Sequence, residues 1–443
     1  MSSRSAAAAA RSGDEVARDH GVSIKAEGGA RWRGFYALVP ATLALLASLN
    51  ALWNGFAADD LSQILNNPFV KKLSNLPLAF TSRAWAYASE EAVLSLGSYY
   101  RPLVDALFTL NYALFGESAR EWHLVNVLLH TAVTLLVFVV LRALTARPWL
   151  AAISACLFAV HPAHAEPVAW ISGITDLLMA VFLLPAFYFY LRYRESDRKY
   201  LMAVSLALYL FALLSKETSL ALPFVIAYCE IFYFKSAASL KQRAFGGFRV
   251  ASLFIAPTAV YFLMRYNALG AFVDSSTPHY PFLLSLATVP LALVKYLKLM
   301  IIPAGYSYQH YTAVVEKAAS VAFLAPVALV ALLAAAVWFI KSRDLKFAAA
   351  WFILTLVPAL EAMRYFDPEY LIQERYLYLP SLGFCLAVAV GIEWLATHGR
   401  LAPRGRVAAI ASTIILVLVW GVLHVKQNGR WKDTLAINKH AVT

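Results

Sequence analysis

Apolar runs of bilayer length recur from one end of this sequence to the other, and no other feature limits the fold so tightly. They fall at about 34–54, 123–141, 149–163, 168–191, 200–214, 219–234, 250–267, 320–340, 347–362, 376–396 and 407–425. A helix needs about 20 apolar residues to cross the hydrocarbon core, and a shorter one needs its flanking residues or a thinned bilayer. In lipid every backbone N–H and C=O must be paired within the element, which leaves helices and closed barrels. These runs are too long and too little alternating for barrel strands, so the expected fold is all-α. Of the 443 residues 61% are hydrophobic and only 14% charged, with a mean hydropathy of +0.63. Soluble domains carry roughly a quarter charged residues, so a water-soluble enzyme, a disordered chain and a disulfide scaffold are excluded. Cys156, Cys229 and Cys385 all lie inside apolar runs and read as small buried hydrophobes.

The net charge of +12 would point to nucleic acid in a soluble chain. In a membrane protein it points first to the side on which Lys and Arg collect. Residues 1–33 lack apolar periodicity and read as a flexible cytoplasmic tail, because the run AAAAA is too short for a signal peptide core. With that tail inside, alternate loops carry Arg142/Arg147, Arg192/Arg194/Arg198/Lys199, Lys235/Lys241/Arg243/Arg249, Lys341/Arg343/Lys346 and Arg400/Arg404/Arg406. The pattern requires that the apolar stretch 283–302, which carries Lys295 and Lys298 between Pro281 and Pro303, does not cross. It is expected to be re-entrant or to lie at the interface. The expectation is a bundle over 34–425 of about eleven crossings, with a first external loop at 56–121 and a short external tail at 426–443.

On this topology more than half of the carboxylates sit in or beside external loops, and Asp105, Asp176, Glu230 and Glu393 lie within apolar segments. Asp59 and Asp60 follow the first span directly. Two adjacent carboxylates in a lowered dielectric raise one another's pKa, which suits a general base; the alternative is a helix N-terminus, where Asp complements the dipole. Arg101, in SYYRPL, is either a phosphate ligand or an interface anchor beside Tyr99 and Tyr100. The turn HPAHAE gathers His161, His164 and Glu166. It reads as a site-lining turn, or else as ordinary interfacial histidines, rather than a zinc site, since prolines disturb helical presentation and no distant further ligand is evident. Asp176 is an intramembrane carboxylate and by default a functional candidate. Lys216 and Glu217 follow the fifth span and either neutralise each other or let Glu217 fix Lys216 against a phosphate; Glu374 and Arg375, in QERYLYLP, form another acid–base couple facing the same side. Lys216 and Arg375 are expected at the polar surface. Together Arg101, Lys216 and Arg375 supply three cations and the Asp pair a base, which is the equipment for transfer from a lipid-linked phosphate.

The segments DDLSQILNNP, SYYRPL, WHLVNVLLH, LFAVHPAHAEPVAW, LLSKE and QERYLYLPSLGF, in this order, resemble the membrane region of the TMTC family. These are GT-C-type O-mannosyltransferases related to the protein O-mannosyltransferases, and the likeness runs from about residue 50 to 435. The resemblance implies a GT-C bundle with an active site at the outer or luminal face and a polyprenyl-phosphate sugar as donor. It further implies an inverting reaction, a base at Asp59 or Asp60 and no metal or other cofactor. Where the family commonly has Arg in the motif read here as SGITD, this chain has Ile174. Its end, RWKDTLAINKHAVT, is too short for the tetratricopeptide repeats that follow in the family, because repeats bury a core only by stacking.

The function expected is therefore transfer of a mannose-like sugar to a hydroxyl of a protein or glycan, with acceptor binding by the external loops or a separate protein and no nucleic-acid partner. A transporter or lipid-carrier flippase is the alternative, but no internal repeat is evident and the ionisable residues gather at one face rather than mid-membrane. An inactive membrane scaffold is a third reading. The N-terminus is expected inside and the C-terminus outside. The lack of repeats and of a retention signal favours a bacterial inner membrane over the endoplasmic reticulum.

Overall fold

The computed structural model describes residues 30–83, 99–270, 280–317, 319–397 and 402–441. Most of the expected cytoplasmic tail, residues 1–29, and the part of the first loop at 84–98 lie outside the described residues.

The described residues form helices and turns, with no strand among them. The helices are α1 (Ala30–Ser48), α2 (Pro102–Phe115), α3 (Ala119–Thr145), α4 (Pro148–Ala159), α5 (Ile174–Ser196), α6 (Lys199–Ser215), α7 (Leu222–Tyr228) and α8 (Leu240–Ser252). They continue with α9 (Ile255–Leu269), α10 (Phe282–Ile301), α11 (Val321–Phe339), α12 (Arg343–Ala362), α13 (Ser381–Thr397), α14 (Ala402–Asn428) and α15 (Thr434–Ala441). Eight helices among the described residues are long and apolar enough to cross a membrane, and four shorter apolar ones accompany them. This is an integral membrane protein.

The ends of these helices follow from local chemistry. Pro102 opens α2, where its missing N–H costs nothing, and Gly116 closes it with φ +59. Helix α3 has Glu121 in its first turn and Arg142 in its last, and α5 has Asp176 and Arg194, each placed to complement the helix dipole. The expected first loop is thus partly helical, because Pro102 starts a run whose Val104, Ala106 and Phe108 find a buried apolar face. The expected span 219–234 is broken into a turn of 3-10 helix at Glu217–Ala221, the short α7 and a π turn at Cys229–Tyr233. The stretch 283–302 is one unbroken helix, α10, long and apolar enough to cross.

Helices α3, α4, α5, α6, α12 and α13 pack around the main core, which includes Val137, Leu141, Leu157, Leu183, Phe187, Trp351 and Leu386. Gly383 lets α13 touch α12: a Cβ there would stand 2.4 Å from the Ala348 carbonyl oxygen. The three cysteines are free and buried. At the end reached by the C-termini of α3 and α5, two carboxylates of the apolar segments, Glu230 and Glu393, find partners. Arg147 joins Asp344 and Glu393, and Arg194 meets Glu230 at 3.2 Å. The opposite end of the bundle carries the remaining charged cluster.

Candidate active site

Four connections between helices meet at that opposite end: 54–61, 161–173, 216–221 and 371–380. The turn at 161–173 is held from below by Asn126 of α3, whose Nδ2 donates to the Trp170 carbonyl at 2.9 Å. Gly173 permits the turn to close, since a Cβ there would lie 2.8 Å from the Glu166 carbonyl oxygen and from Pro167. The bend at Lys216 ends α6 in extended backbone, which sends Lys216 and Glu217 in different directions.

The ion pairs run between turns, not between sequence neighbours. Arg101 grips Glu217 through two bonds, Nε to Oε2 at 3.1 Å and Nη2 to Oε1 at 2.6 Å. Lys216 Nζ reaches both oxygens of Asp176, at 2.7 and 2.6 Å. Arg375 donates its backbone N–H to Glu166 Oε2 at 2.8 Å and its guanidinium to Oε1 at 2.6 Å. Glu374 turns away to His310, 2.8 Å distant. Tyr376 links the set, with Lys216 Nζ 4.8 Å and the Arg375 guanidinium 5.6 Å from its ring centre. Arg375 also lies 5.3 Å from the Trp170 ring, and Arg101 4.5 Å from that of Tyr99.

The two neighbouring aspartates have different surroundings. Asp60 is wholly buried and saturated: Ser172 donates through its N–H at 2.8 Å and its hydroxyl at 2.6 Å, and Ala57 N–H at 2.9 Å. Burial lifts its carboxyl to about 7 against those hydrogen bonds. Asp59 has no hydrogen-bond partner for its carboxylate among the described residues, and it lies in the field of Arg375 and Glu166. Burial raises its pKa, Arg375 opposes the rise and Glu166 adds to it. Around the other groups the same balance plays out differently. Burial draws the Lys216 ammonium down against the pull of Asp176, with Arg101 and Arg375 adding to the fall. Burial acts to raise Glu217, but Arg101 and its hydrogen bonds outweigh that and hold the carboxyl at about 2. Glu374 rises to about 7 through burial despite His310.

Asp59, Glu166, Arg375, Lys216, Asp176, Arg101 and Glu217 therefore form one continuous electrostatic cluster, although they come from those four connections, the residue before α2 and the first turn of α5. The expectation that Lys216 lies at the polar surface is corrected: it is 1% exposed, because its stem enters the interior to reach Asp176. The Arg101 and Arg375 side chains keep 18% and 21% of their surface open. The turn of His161, His164 and Glu166 contributes only its carboxylate to the cluster. Both histidines are fully buried, His161 beside Trp420 and His164 bonded through Nε2 to Ser381 Oγ at 2.7 Å, and their packing among aromatic rings explains why they do not line the site. Among the described residues no group of three His, Cys, Asp or Glu side chains is arranged to hold a metal ion. Ile174 is buried in an apolar cluster with Ile171 and Leu178. Sequence reasoning missed Ser172, Trp170 and Tyr376, although each lies in a quoted segment, SGITD, LFAVHPAHAEPVAW and QERYLYLP, and it missed Tyr308, which carried no such signal and packs edge-on to Trp170 with ring centres 6.4 Å apart.

These features define a polytopic all-α membrane protein with a cluster of linked ion pairs where four of its helix connections meet. The chain matches the dolichyl-phosphate-mannose-protein mannosyltransferase family over residues 101–262. It is TMTC-like: it is 28% identical to protein O-mannosyl-transferase F38B6.6 of Caenorhabditis elegans, over 90% of this chain and 56% of that protein. With human protein O-mannosyl-transferase TMTC1 it shares 26% identity over 89% of this chain and 50% of the relative. The chain thus spans about half the length of these curated relatives. Among solved structures, the archaeal oligosaccharyltransferase AglB from Archaeoglobus fulgidus, in complex with an inhibitory peptide and a dolichol-phosphate, aligns with a TM-score of 0.49. Identity there is 13%, over 91% of this chain and 56% of that one.

Proposed function

We propose that this chain is a glycosyltransferase moving a mannose-like sugar from a polyprenyl-phosphate donor to a hydroxyl of a protein or glycan acceptor. The observation that carries the reading is the contrast between Asp60, whose oxygens are all engaged, and Asp59, whose carboxylate is unbonded beside Arg375. A general base needs a free lone pair and a pKa lifted towards neutrality. Asp59 has both, so it takes the role of base and Asp60 that of an anchor for the loop.

In the reaction Asp59 accepts the proton of the acceptor hydroxyl as its oxygen bonds to the anomeric carbon. The bond from that carbon to the phosphate oxygen breaks on the opposite face, with inversion, and the polyprenyl phosphate leaves with the electron pair. Arg101 and Arg375, each with an open guanidinium edge, stabilise the charge that develops on the phosphate. Lys216, buried against Asp176, contributes field from the interior rather than contact. Glu166 and Glu217 fix the two guanidinium groups and so limit what must reorganise during transfer.

The same reading sets the orientation. The basic ends of α3 and α5 lie away from Asp59, and Lys and Arg favour the cytoplasmic side. The cluster then faces the outer or luminal side, where lipid-linked sugars meet exported acceptors, and α15 lies there with it. The names of the relatives support mannose and a protein acceptor. Acceptor recruitment by a separate protein is part of the same proposal.

The test is transfer by the reconstituted full chain from dolichyl- or undecaprenyl-phosphate mannose to a Ser/Thr-rich peptide, with the co-purified lipid identified by mass spectrometry. Product formation that disappears in Asp59→Asn is the expected result. Undiminished transfer by that variant removes the base assignment, and a transported rather than transferred sugar removes the reaction.

A further inference from the structure

Three non-glycine residues among those described have a positive φ. Ala146 and Asp197 directly follow α3 and α5, where a left-handed residue closes a helix. Ala58, with φ +49, stands immediately before Asp59 and ends no helix. Alanine has no polar side chain to favour that conformation, so the surroundings must impose it.

Those surroundings come from the far end of the sequence. Ala58 N–H donates to Thr434 Oγ1 at 3.0 Å, and Gly55 N–H to the Lys432 carbonyl at 2.8 Å. Asn54 Nδ2 donates to the Asn428 carbonyl at 3.0 Å. The segment that offers these acceptors is itself anchored. Trp431 is buried and stacks on Trp170, ring centres 5.6 Å apart and planes 19° from parallel; Ile437 of α15 is buried as well. Asp433 caps the start of α15 by accepting the Ala436 N–H at 2.7 Å. Trp170 closes the circle, since its Nε1 donates to the Ala57 carbonyl at 3.2 Å.

We propose that Thr434 is a positioning residue for Asp59, its hydroxyl holding the Ala58 amide so that the left-handed turn aims the Asp59 carboxylate at Arg375. The inference rests on the reading of Asp59 as the base. It makes the stretch from Asn428 to Ala441 a working part of the site instead of a trailing end. Thr434 acts only through Ala58 and touches no substrate.

The test uses the full chain with Thr434→Val, which keeps shape and removes the acceptor, and Thr434→Ser, which restores it. With dolichyl-phosphate mannose and a Ser/Thr-rich peptide, valine should lower kcat about tenfold or more at unchanged donor KM, and serine should recover it. A second readout needs no turnover: carbodiimide labelling of Asp59 across pH, read by peptide mass spectrometry. In the valine variant the labelling midpoint should move up, because a carboxylate displaced from Arg375 loses the cation that favours its charge; serine should leave it in place. Placing Ala58→Gly beneath Thr434→Val covers the case in which valine alone fails to fold, since glycine enters the left-handed region freely and should return part of the loss. Wild-type kcat together with a wild-type labelling curve in the valine variant overturns the proposal. So does a valine loss undiminished by glycine. If Asp59→Asn transfers normally the base assignment falls, while the labelling curves still decide whether Thr434 positions Asp59.

Discussion

Glu166 holds Arg375 twice, once by its backbone N–H at 2.8 Å and once by its guanidinium at 2.6 Å. The double grip fixes both the path of the chain and the direction of the side chain, and it leaves part of the Arg375 side chain open. Each cation of the cluster is backed by its own carboxylate in this way, so an anion arriving at the site meets prearranged donors and not bare charge.

Replacing Glu166 separates those two functions. Glu166→Gln keeps an acceptor but loses the charge, and should mainly raise the donor KM as the amide holds the guanidinium less firmly in the same place. Glu166→Ala also leaves the Arg375 amide and guanidinium without their partner, and should cost about 2 kcal/mol of stability. Thermal unfolding in detergent and steady-state kinetics check the pair. Equal KM values in wild type and Glu166→Gln would remove the orienting role.

The aspartates should respond in opposite ways. Asp59→Asn should fold normally and lose turnover by roughly 10²-fold or more, the usual worth of a general base. Asp60→Asn presents an amide to the donors of Ser172 or Ala57 and leaves one of them unpaired, at a cost of about 1–3 kcal/mol. Its unfolding temperature should fall, and its remaining folded fraction should still turn over. The reverse pattern would exchange the two roles.

Much of this architecture could be read from the chain because membrane folding is governed by length and hydropathy. The runs at 123–141 and 168–191 are helices α3 and α5 for that reason. The break of 219–234 escaped notice because its apolar composition is continuous; Pro223 near the start of α7 was the available sign. The charged residues of the site were all visible, but their pairing was not. Lys216 and Glu217 are adjacent, as are Glu374 and Arg375, and adjacency made each pair read as a couple. An extended residue at the end of α6 sends the first couple apart, and the tight turn after Gln373 does the same for the second, toward His310 and Glu166. Thr434 lay in a short polar stretch with no periodicity, and only the docking of Trp431 on Trp170 gives it meaning.

Lys216 offers a test of burial against contact. Both it and Asp176 are almost wholly enclosed, and removal of one charge from such a pair strands the other. Lys216→Ala should therefore destabilise the protein by about 3–5 kcal/mol, and the double variant Lys216→Met/Asp176→Leu should regain most of that. If Lys216 were instead a phosphate ligand, Lys216→Ala would fold with wild-type stability and show only a raised donor KM. Unfolding curves for the three variants separate the two outcomes.

The acid side of the pH profile provides the last prediction. In the proposed role of base Asp59 must be ionised, and burial raises its carboxyl while Arg375 lowers it and Glu166 raises it. Activity should thus fall on acidification at a pH above the ordinary carboxylate value of about 4, since a raised pKa means protonation begins sooner as pH drops. Removing the Arg375 cation takes away a group that favours the charged form, so in Arg375→Ala the midpoint of the acid limb should move to higher pH. Neutralising Glu166 takes away a group that disfavours it, so in Glu166→Gln the midpoint should move lower, provided Arg375 stays in place. The signs are opposite although both changes strike the same ion pair, and general loosening of the site would move both midpoints the same way. Measurement of kcat from pH 4 to 8 for the three proteins reads the result, and an acid limb indifferent to both substitutions would place the base elsewhere.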